Sequence, residues 1–387
     1  MSAEEILHFD TTFAGWRFRM TPVRAVMVAM TGIFALLAVF RLITGLGVST
    51  NLNDTWPWGL WIGFDLTAVA LAGAGYSMCF LSHVLHIDAF HSISRRAMLL
   101  SLLGYVFVLA TLILEIGRWD NSYMPLISWG HASALFEVYI AITIYMVIQT
   151  IEFSEVATEK IFHSARPIVQ LLLPTAFIIG SILPFGHQAS LGAIYLLMKG
   201  RLHPLWWSQM IPWFFLITSF YVGQSMVILE SIWSERSFGK HVDRKVLGLL
   251  QKISACIMLG YFLLKFIDLA RLGELGLIFG SGYESAFFLF EMVGLVLLPV
   301  LIAFTPWGKT TAGLLVFSVL SIFGVVMSRI NVVFTGMFRA VGPGYIPSII
   351  EWGITLGLLA AIGLAYIFIV ENFNIFLDGD HHKHRAH

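Results

Sequence analysis

The chain predicts an all-α polytopic membrane protein, and three observations carry that reading. It is 58% hydrophobic and only 12% charged, where a soluble domain carries about a quarter charged residues. Apolar runs long enough to cross a bilayer, about 20 residues each, recur ten times along it. Short loops join these runs, with no low-complexity linker between them. Formal net charge is zero, so no global field points to nucleic acid. Cys79 and Cys256 lie within apolar runs and indicate neither a disulfide framework nor a metal site.

In chain order, residues 1–21 carry Glu4, Glu5, Asp10, Arg17 and Arg19 with no apolar core, so a cleavable signal peptide is not expected. Spans follow near 22–45, 59–86, 97–117, 132–153, 167–186, 210–233, 246–269, 284–304, 311–329 and 348–371. Residues 372–387 form a polar, His-rich tail. A frayed, solvated end is the expectation there, ahead of metal binding. Lysines and arginines set the orientation, because cytoplasmic loops carry the excess. The side holding the N-terminus, the even loops and the tail has fifteen of them; the other side has eight, namely Arg41, Arg118, Lys199, Arg201, Lys265, Arg271, Arg329 and Arg339. Both termini are therefore expected in the cytoplasm.

The stretch from Thr50 to Leu66 organises the outward face. Trp56, Trp58 and Trp61 mark a water–lipid boundary, where an indole is wet at one end and apolar at the other. Pro57 is expected to start the second helix, where its missing N–H costs nothing. Asp65 then lies roughly 10 Å below Trp58 at 1.5 Å per residue. A carboxylate at that depth is expensive and reads as functional, the alternative being a structural pair with an arginine. Other polar groups crowd the same face: Glu115, Arg118 and Asp120, then His131 and Glu137, then His187 and Gln188 after the fifth span, His203, and finally Arg339, Tyr345 and Glu351. Arg118 is a candidate partner for Glu115 or Asp120.

Polar residues also run inward. On helix 2, Asp65, Tyr76 and His83 fall within about 20° of one line at 100° per residue, which reads as a stripe joining helices. On helix 4, Glu137, Tyr145, Gln149 and Glu152 fall within about a 120° arc. That arrangement suits a proton path as well as it suits helix–helix glue. Haem b in a bundle needs two histidines on facing helices. The thirteen histidines here fall at helix ends, in loops or in the tail, so no haem is expected. No Cys-x-x-Cys or Gly-rich phosphate loop occurs either.

Asn-x-x-x-Pro-Trp-Gly-x-Trp-Ile-x-Phe-Asp-Leu (53–66) resembles the HybB branch of the NrfD/PsrC family, the membrane subunits of hydrogenase-2-type uptake hydrogenases. Further matches are Ile-Gly-Arg-Trp (116–119), Leu-Phe-Glu (135–137), Ile-Thr-Ile-Tyr (142–145), Leu-Pro-Phe-Gly-His-Gln-Ala-Ser-x-Gly (183–192), His-Pro-Leu-Trp (203–206) and Tyr-Ile-Pro-Ser (345–348). The similarity covers nearly the whole chain. It implies two four-helix bundles, helices 2–5 and 6–9, flanked by helices 1 and 10. It also implies a haem-free subunit exchanging electrons between a membrane quinone and an iron–sulfur neighbour, with the quinone headgroup in the first bundle.

The function expected on these grounds is quinone reduction, with menaquinone or ubiquinone as substrate, possible coupling to proton translocation, and the quinone site near the periplasmic face of the inner membrane. Electrons would come from a periplasmic NiFe hydrogenase, with its large and small subunits, through a HybA-like ferredoxin-type iron–sulfur subunit. The metal centres would belong to those partners. Asp65, His131 and Glu137 are the expected headgroup residues, with Trp58, Trp61, His187 and Gln188 shaping the pocket. Glu137, Tyr145, Gln149 and Glu152 are the expected proton path. Histidines and carboxylates can both hydrogen-bond a quinone carbonyl and supply protons near neutral pH. A secondary transporter is the rival class, but Pro57, Pro174, Pro184 and Pro299 do not repeat at the fixed interval that inverted repeats give. A passive anchor would leave Asp65 and Glu137 unexplained.

Overall fold

The computed structural model describes residues 9–56, 58–240, 242–342 and 344–376. Among them, ten helices are long and apolar enough to cross a membrane: α1 (Pro22–Thr44), α2 (Leu60–Val84), α3 (Asp88–Glu115), α4 (Ala134–Lys160), α5 (His163–Met198), α6 (Ile211–Phe238), α7 (Arg244–Leu272), α8 (Tyr283–Ala303), α9 (Thr311–Val341) and α10 (Ile349–Asn372). The N-terminal tip and the His-rich tail lie outside the described residues, as does Pro57. Helix α2 itself begins at Leu60, with Gly59 as its N-cap.

Helices α2 to α5 pack as one ring and α6 to α9 as a second, while α1 pairs with α10 and leans on α3. The two rings meet where α2 crosses α6. There a Cβ added to Gly223 would lie 2.4 Å from the carbonyl carbon of Gly73, so the backbones touch and only glycine fits. Helix α1 is apolar on nearly every face, with Val23, Val26, Ile33, Leu36 and Val39 all exposed, as a lipid-facing helix must be. Thr21 caps it, its hydroxyl accepting from the Arg24 N–H at 3.3 Å, and Pro22 takes the first position.

Ahead of α1 the sequence reading foresaw only a polar segment, whereas β1 (Phe9–Phe13) and β2 (Trp16–Met20) form an antiparallel hairpin. Its register puts Phe9, Phe13, Trp16, Phe18 and Met20 on one face. Trp16 packs on Phe368 and Phe373 at ring-centroid distances of 5.5 and 5.4 Å. The Arg17 N–H donates to Asn372 at 2.8 Å, tying the hairpin to the end of α10.

Polar clamps hold α10 to the rings at both ends. At the end carrying the 50–59 loop, here the tryptophan end, Ser348 and Glu351 form a capping box. Glu351, fully buried, accepts from the backbone N–H groups of Ser348 (2.8 Å) and Asn51 (3.2 Å) and from the Tyr345 hydroxyl. Tyr345 in turn accepts from the Leu60 N–H at 2.7 Å. At the opposite, terminal end, buried Glu230 accepts from Tyr366 and Ser234, both at 2.5 Å, with Arg96 at 3.6 Å.

Three sequence expectations change here. The fifth span, expected to end near residue 186, runs on to Met198, so Leu183–Ser190 lies inside α5 rather than at its end; a transmembrane helix tolerates an internal proline such as Pro184. Helix α2 loses its regular 100° step at Ala72–Gly73 and in a π-helical turn at Phe80–Val84. As a result Asp65 faces Thr111 of α3, Tyr76 meets Ser219 of α6 at 2.7 Å, and His83 stacks on Phe177 of α5 at 4.7 Å. Finally, Arg41, Lys265 and Arg329 are buried within the protein rather than carried on loops. Arg96 of the inward set is buried too, so leaving out the buried cations changes fifteen against eight to fourteen against five, which sharpens the charge asymmetry.

Candidate functional site

The interior of the first ring holds a line of polar side chains. His187 on α5 is buried, neither ring nitrogen has a hydrogen-bond partner among the described residues, and its ring lies 6.0 Å from that of Tyr105 on α3. Tyr105 meets Tyr145 of α4 edge to face at 4.6 Å. The Gln149 amide donates to the Tyr145 hydroxyl at 3.0 Å and to Glu152 at 2.8 Å. Glu152 sits against Gly180 of α5, where an added Cβ would come within 2.4 Å of its carboxylate. Its second oxygen has no partner among the described residues. Burying polar groups with open hydrogen-bonding capacity is costly, and such groups concentrate where function requires them.

The expected site residues separate into three groups. Tyr145, Gln149, Glu152, His187 and Gln188 are all buried and near one another in the first ring, with Gln188 donating to the Val69 carbonyl at 2.9 Å. Asp65 is buried at the tryptophan end, accepting from Thr111, with one oxygen unpartnered. Trp58 packs edge to face on Tyr195 at 5.7 Å, at the end of α5. By contrast, His131 and Glu137 are exposed, His131 packing on Trp129 and Phe136. Glu137 therefore does not head the buried line: it is exposed in the first turn of α4, while its neighbours Ala134 and Val138 turn toward the core. Trp61 is turned the other way, buried with Leu114 and Ile354 beneath α1 and α10.

Arg118 pairs with Asp120 at 3.0 Å on the surface, and each holds the other in its charged form. Glu115 instead accepts from the Gly59 N–H at 3.4 Å. Glu351, Tyr345 and Arg339 serve packing, Arg339 being paired with Glu284 and with the Ser281 carbonyl at 2.5 Å. Burial raises the Tyr345 hydroxyl and the Glu351 contact adds to this, so it stays a proton donor to that carboxylate. His203 is half-buried, and its ring nitrogen accepts from the Leu205 N–H at 3.3 Å.

Sequence reasoning missed a second group, inside the other ring. Glu291 accepts from the Trp206 indole at 3.0 Å and from the Asn331 amide at 2.7 Å. Lys265 and Asp268 are buried nearby on α7, and Arg329 donates to Thr218 at 2.8 Å with its guanidinium over the Phe215 ring. The signal was present as single charges within apolar runs. It was obscured because Lys265 and Arg329 fall near run ends, where loop cations also fall.

Among the described residues no three His, Cys, Asp or Glu side chains gather as a metal site. Nor do two described histidines face each other across a ring interior: His187 is the buried one, and His83 touches His91 directly at 5.2 Å. The described histidines therefore do not fit a bis-histidine haem.

A family model described as polysulphide reductase, NrfD, matches residues 48–342. A protein of Nitratidesulfovibrio vulgaris (strain Hildenborough) is 33% identical over 94% of this chain and 97% of its own length. The Escherichia coli (strain K12) protein named "Probable Ni/Fe-hydrogenase 2 b-type cytochrome subunit" is 30% identical over 91% of this chain and 92% of its own. The "Menaquinone reductase, integral membrane subunit" of the same N. vulgaris strain is 29% identical over 89% of each chain.

Proposed function

Because the chain belongs to the NrfD polysulphide reductase family, we propose that it is the quinone-reactive membrane subunit of a respiratory oxidoreductase. The observation that carries this reading is the buried polar line from His187 through Tyr105, Tyr145 and Gln149 to Glu152. Reduction of a quinone needs two electrons and two protons. Electrons would reach the tryptophan end from a ferredoxin-type iron–sulfur subunit of a NiFe hydrogenase; one relative is named as a subunit of a Ni/Fe-hydrogenase and another as the membrane subunit of a menaquinone reductase. Asp65, Trp58 and His187 would surround the headgroup. His131 and Glu137 lie exposed at that end, where a docked partner would cover them.

In this reading His187 hydrogen-bonds a quinone carbonyl with a nitrogen the protein leaves unused. Glu152 supplies the proton reservoir, and Gln149 holds Glu152 and Tyr145 in one register. With the tryptophan end periplasmic and both termini cytoplasmic, protons drawn through this line would come from the side opposite the electrons. Turnover would then build membrane potential. In this reading no haem takes part.

The test is the assembled complex in vesicles, with donor-driven quinol formation and membrane potential measured together. Glu152→Gln keeps size and hydrogen bonding but cannot carry a proton. It should assemble normally and turn over at least tenfold more slowly, as loss of a proton-transfer group predicts. Wild-type turnover and potential in this variant would remove the buried line from the mechanism. A wild-type complex that forms no quinol would overturn the quinone reading altogether.

A further inference from the structure

Between the two clamps that hold α10 lies a long apolar slot of about 920 Å³, open on one side. Its walls come from α1, α2, α3, α6, α9 and α10. The α2 wall is a single stripe, Leu60, Gly63, Phe64, Thr67, Ala68 and Leu71, at the spacing of one helical face. The α10 wall runs from Trp352 to Ile367, about 22 Å at 1.5 Å per residue, most of the hydrocarbon thickness of a bilayer. Thr67, Glu230 and Tyr366 bring the wall its hydroxyl and carboxyl groups, and all three are hydrogen-bonded to protein.

We infer that this slot is a binding site for the acyl chains of one membrane phospholipid, which fills the junction between the α1–α10 pair and the two rings. The slot opens sideways into the membrane, and its apolar wall excludes water. Hydrocarbon is what remains. Taking a methylene as roughly a water's share of liquid volume, about 30 Å³, the slot holds on the order of 30 methylenes, the content of two ordinary chains. The entrance is lateral: Trp233, Ile330, Trp352 and Leu359, on three different helices, are 44%, 37%, 42% and 42% exposed along it. Trp352 and Trp233 stand at its two ends, the level tryptophan prefers beside lipid headgroups.

A quinone fits less well, because its headgroup carbonyls need hydrogen-bond donors, and the Thr67 and Tyr366 hydroxyls already donate to Gly63 and Glu230. The slot also lies on the outer face of α2, away from the His187 line. The Glu351 and Glu230 clamps keep it open by fixing both ends of α10, so the lipid supplies the contact that protein does not.

The experiment is native mass spectrometry of the complete chain, purified in mild detergent, together with lipid extraction and thermal melting with and without added phosphatidylethanolamine or phosphatidylglycerol vesicle lipid. The wild type should retain a single phospholipid, and delipidation should lower its melting temperature, reversed by adding lipid back. Ala68→Phe with Leu71→Phe should lose the bound lipid, and its melting temperature should no longer respond to added lipid. If that variant does not fold, the wild-type mass and melting response still decide the matter. A retained quinone in place of phospholipid, or a lipid-free wild type whose melting is indifferent to lipid, would overturn the inference.

Discussion

Replacing Glu351 by alanine should loosen the tryptophan end, and the structure sets the size of the effect. The carboxylate accepts from three donors: the Ser348 N–H at 2.8 Å, the Asn51 N–H at 3.2 Å and the Tyr345 hydroxyl. Asn51 lies in an exposed loop and can turn to water. Tyr345 is buried and Ser348 half-buried at the helix cap, and each such donor left without an acceptor costs about 1–3 kcal/mol. Taking the middle of that range for both gives about 4 kcal/mol, before any loss of the α10 cap. At roughly 2 °C per kcal/mol for a larger domain, the melting temperature should drop by about 8 °C. Glu351→Gln keeps one acceptor and should lose less than half as much. The assay is thermal unfolding in detergent, followed by near-UV circular dichroism, since three tryptophans surround the affected loop. An alanine variant that melts with the wild type would show that the clamp does not hold α10.

Three further outcomes are expected. Gly223→Ala places a methyl group 2.4 Å from the α2 backbone, and backbone cannot yield as a side chain does. It should cost at least the ~3 kcal/mol at the top of the overpacking range, read as lost yield of folded protein on size-exclusion chromatography; a normal elution profile and melting curve would contradict the packing. A topology reporter fused after Asp378 should report the cytoplasm, because removing buried Arg41, Lys265 and Arg329 widens the loop-charge asymmetry; a periplasmic signal would invert the proposed site. Burial holds His203 below its usual 6.5, outweighing the opposing pull of Glu284, so the folded state favours the neutral ring. That contribution is present above the unfolded value and is lost as pH falls through the folded one. Melting temperature should therefore drop more steeply on acidification in the wild type than in His203→Gln, and parallel pH profiles would refute this.

The sequence by itself determined the ten helices, because each apolar run is as long as the bilayer is thick and lipid leaves the backbone no other way to satisfy its hydrogen bonds. It also placed Tyr145, Gln149 and Glu152 on one face of α4, since that helix is regular throughout. The tertiary structure decided how such faces are shared among neighbours. One hundred degrees per residue aligned Asp65, Tyr76 and His83 on paper, but the breaks in α2 send them to three different helices. Helical phase put Glu137 at the edge of the arc that holds the buried line, and it is exposed while Ala134 and Val138 beside it pack against the core. His187 and Tyr105 join the line from α5 and α3, forty residues or more from α4 partners in sequence or fixed only by packing. Lys265 and Arg329 read as loop cations because a run's edge looks the same whether its charge meets water or the Glu291 network. Local periodicity records which residues a single helix can align; which neighbour each one meets depends on how ten helices pack, and that is a property of no single segment.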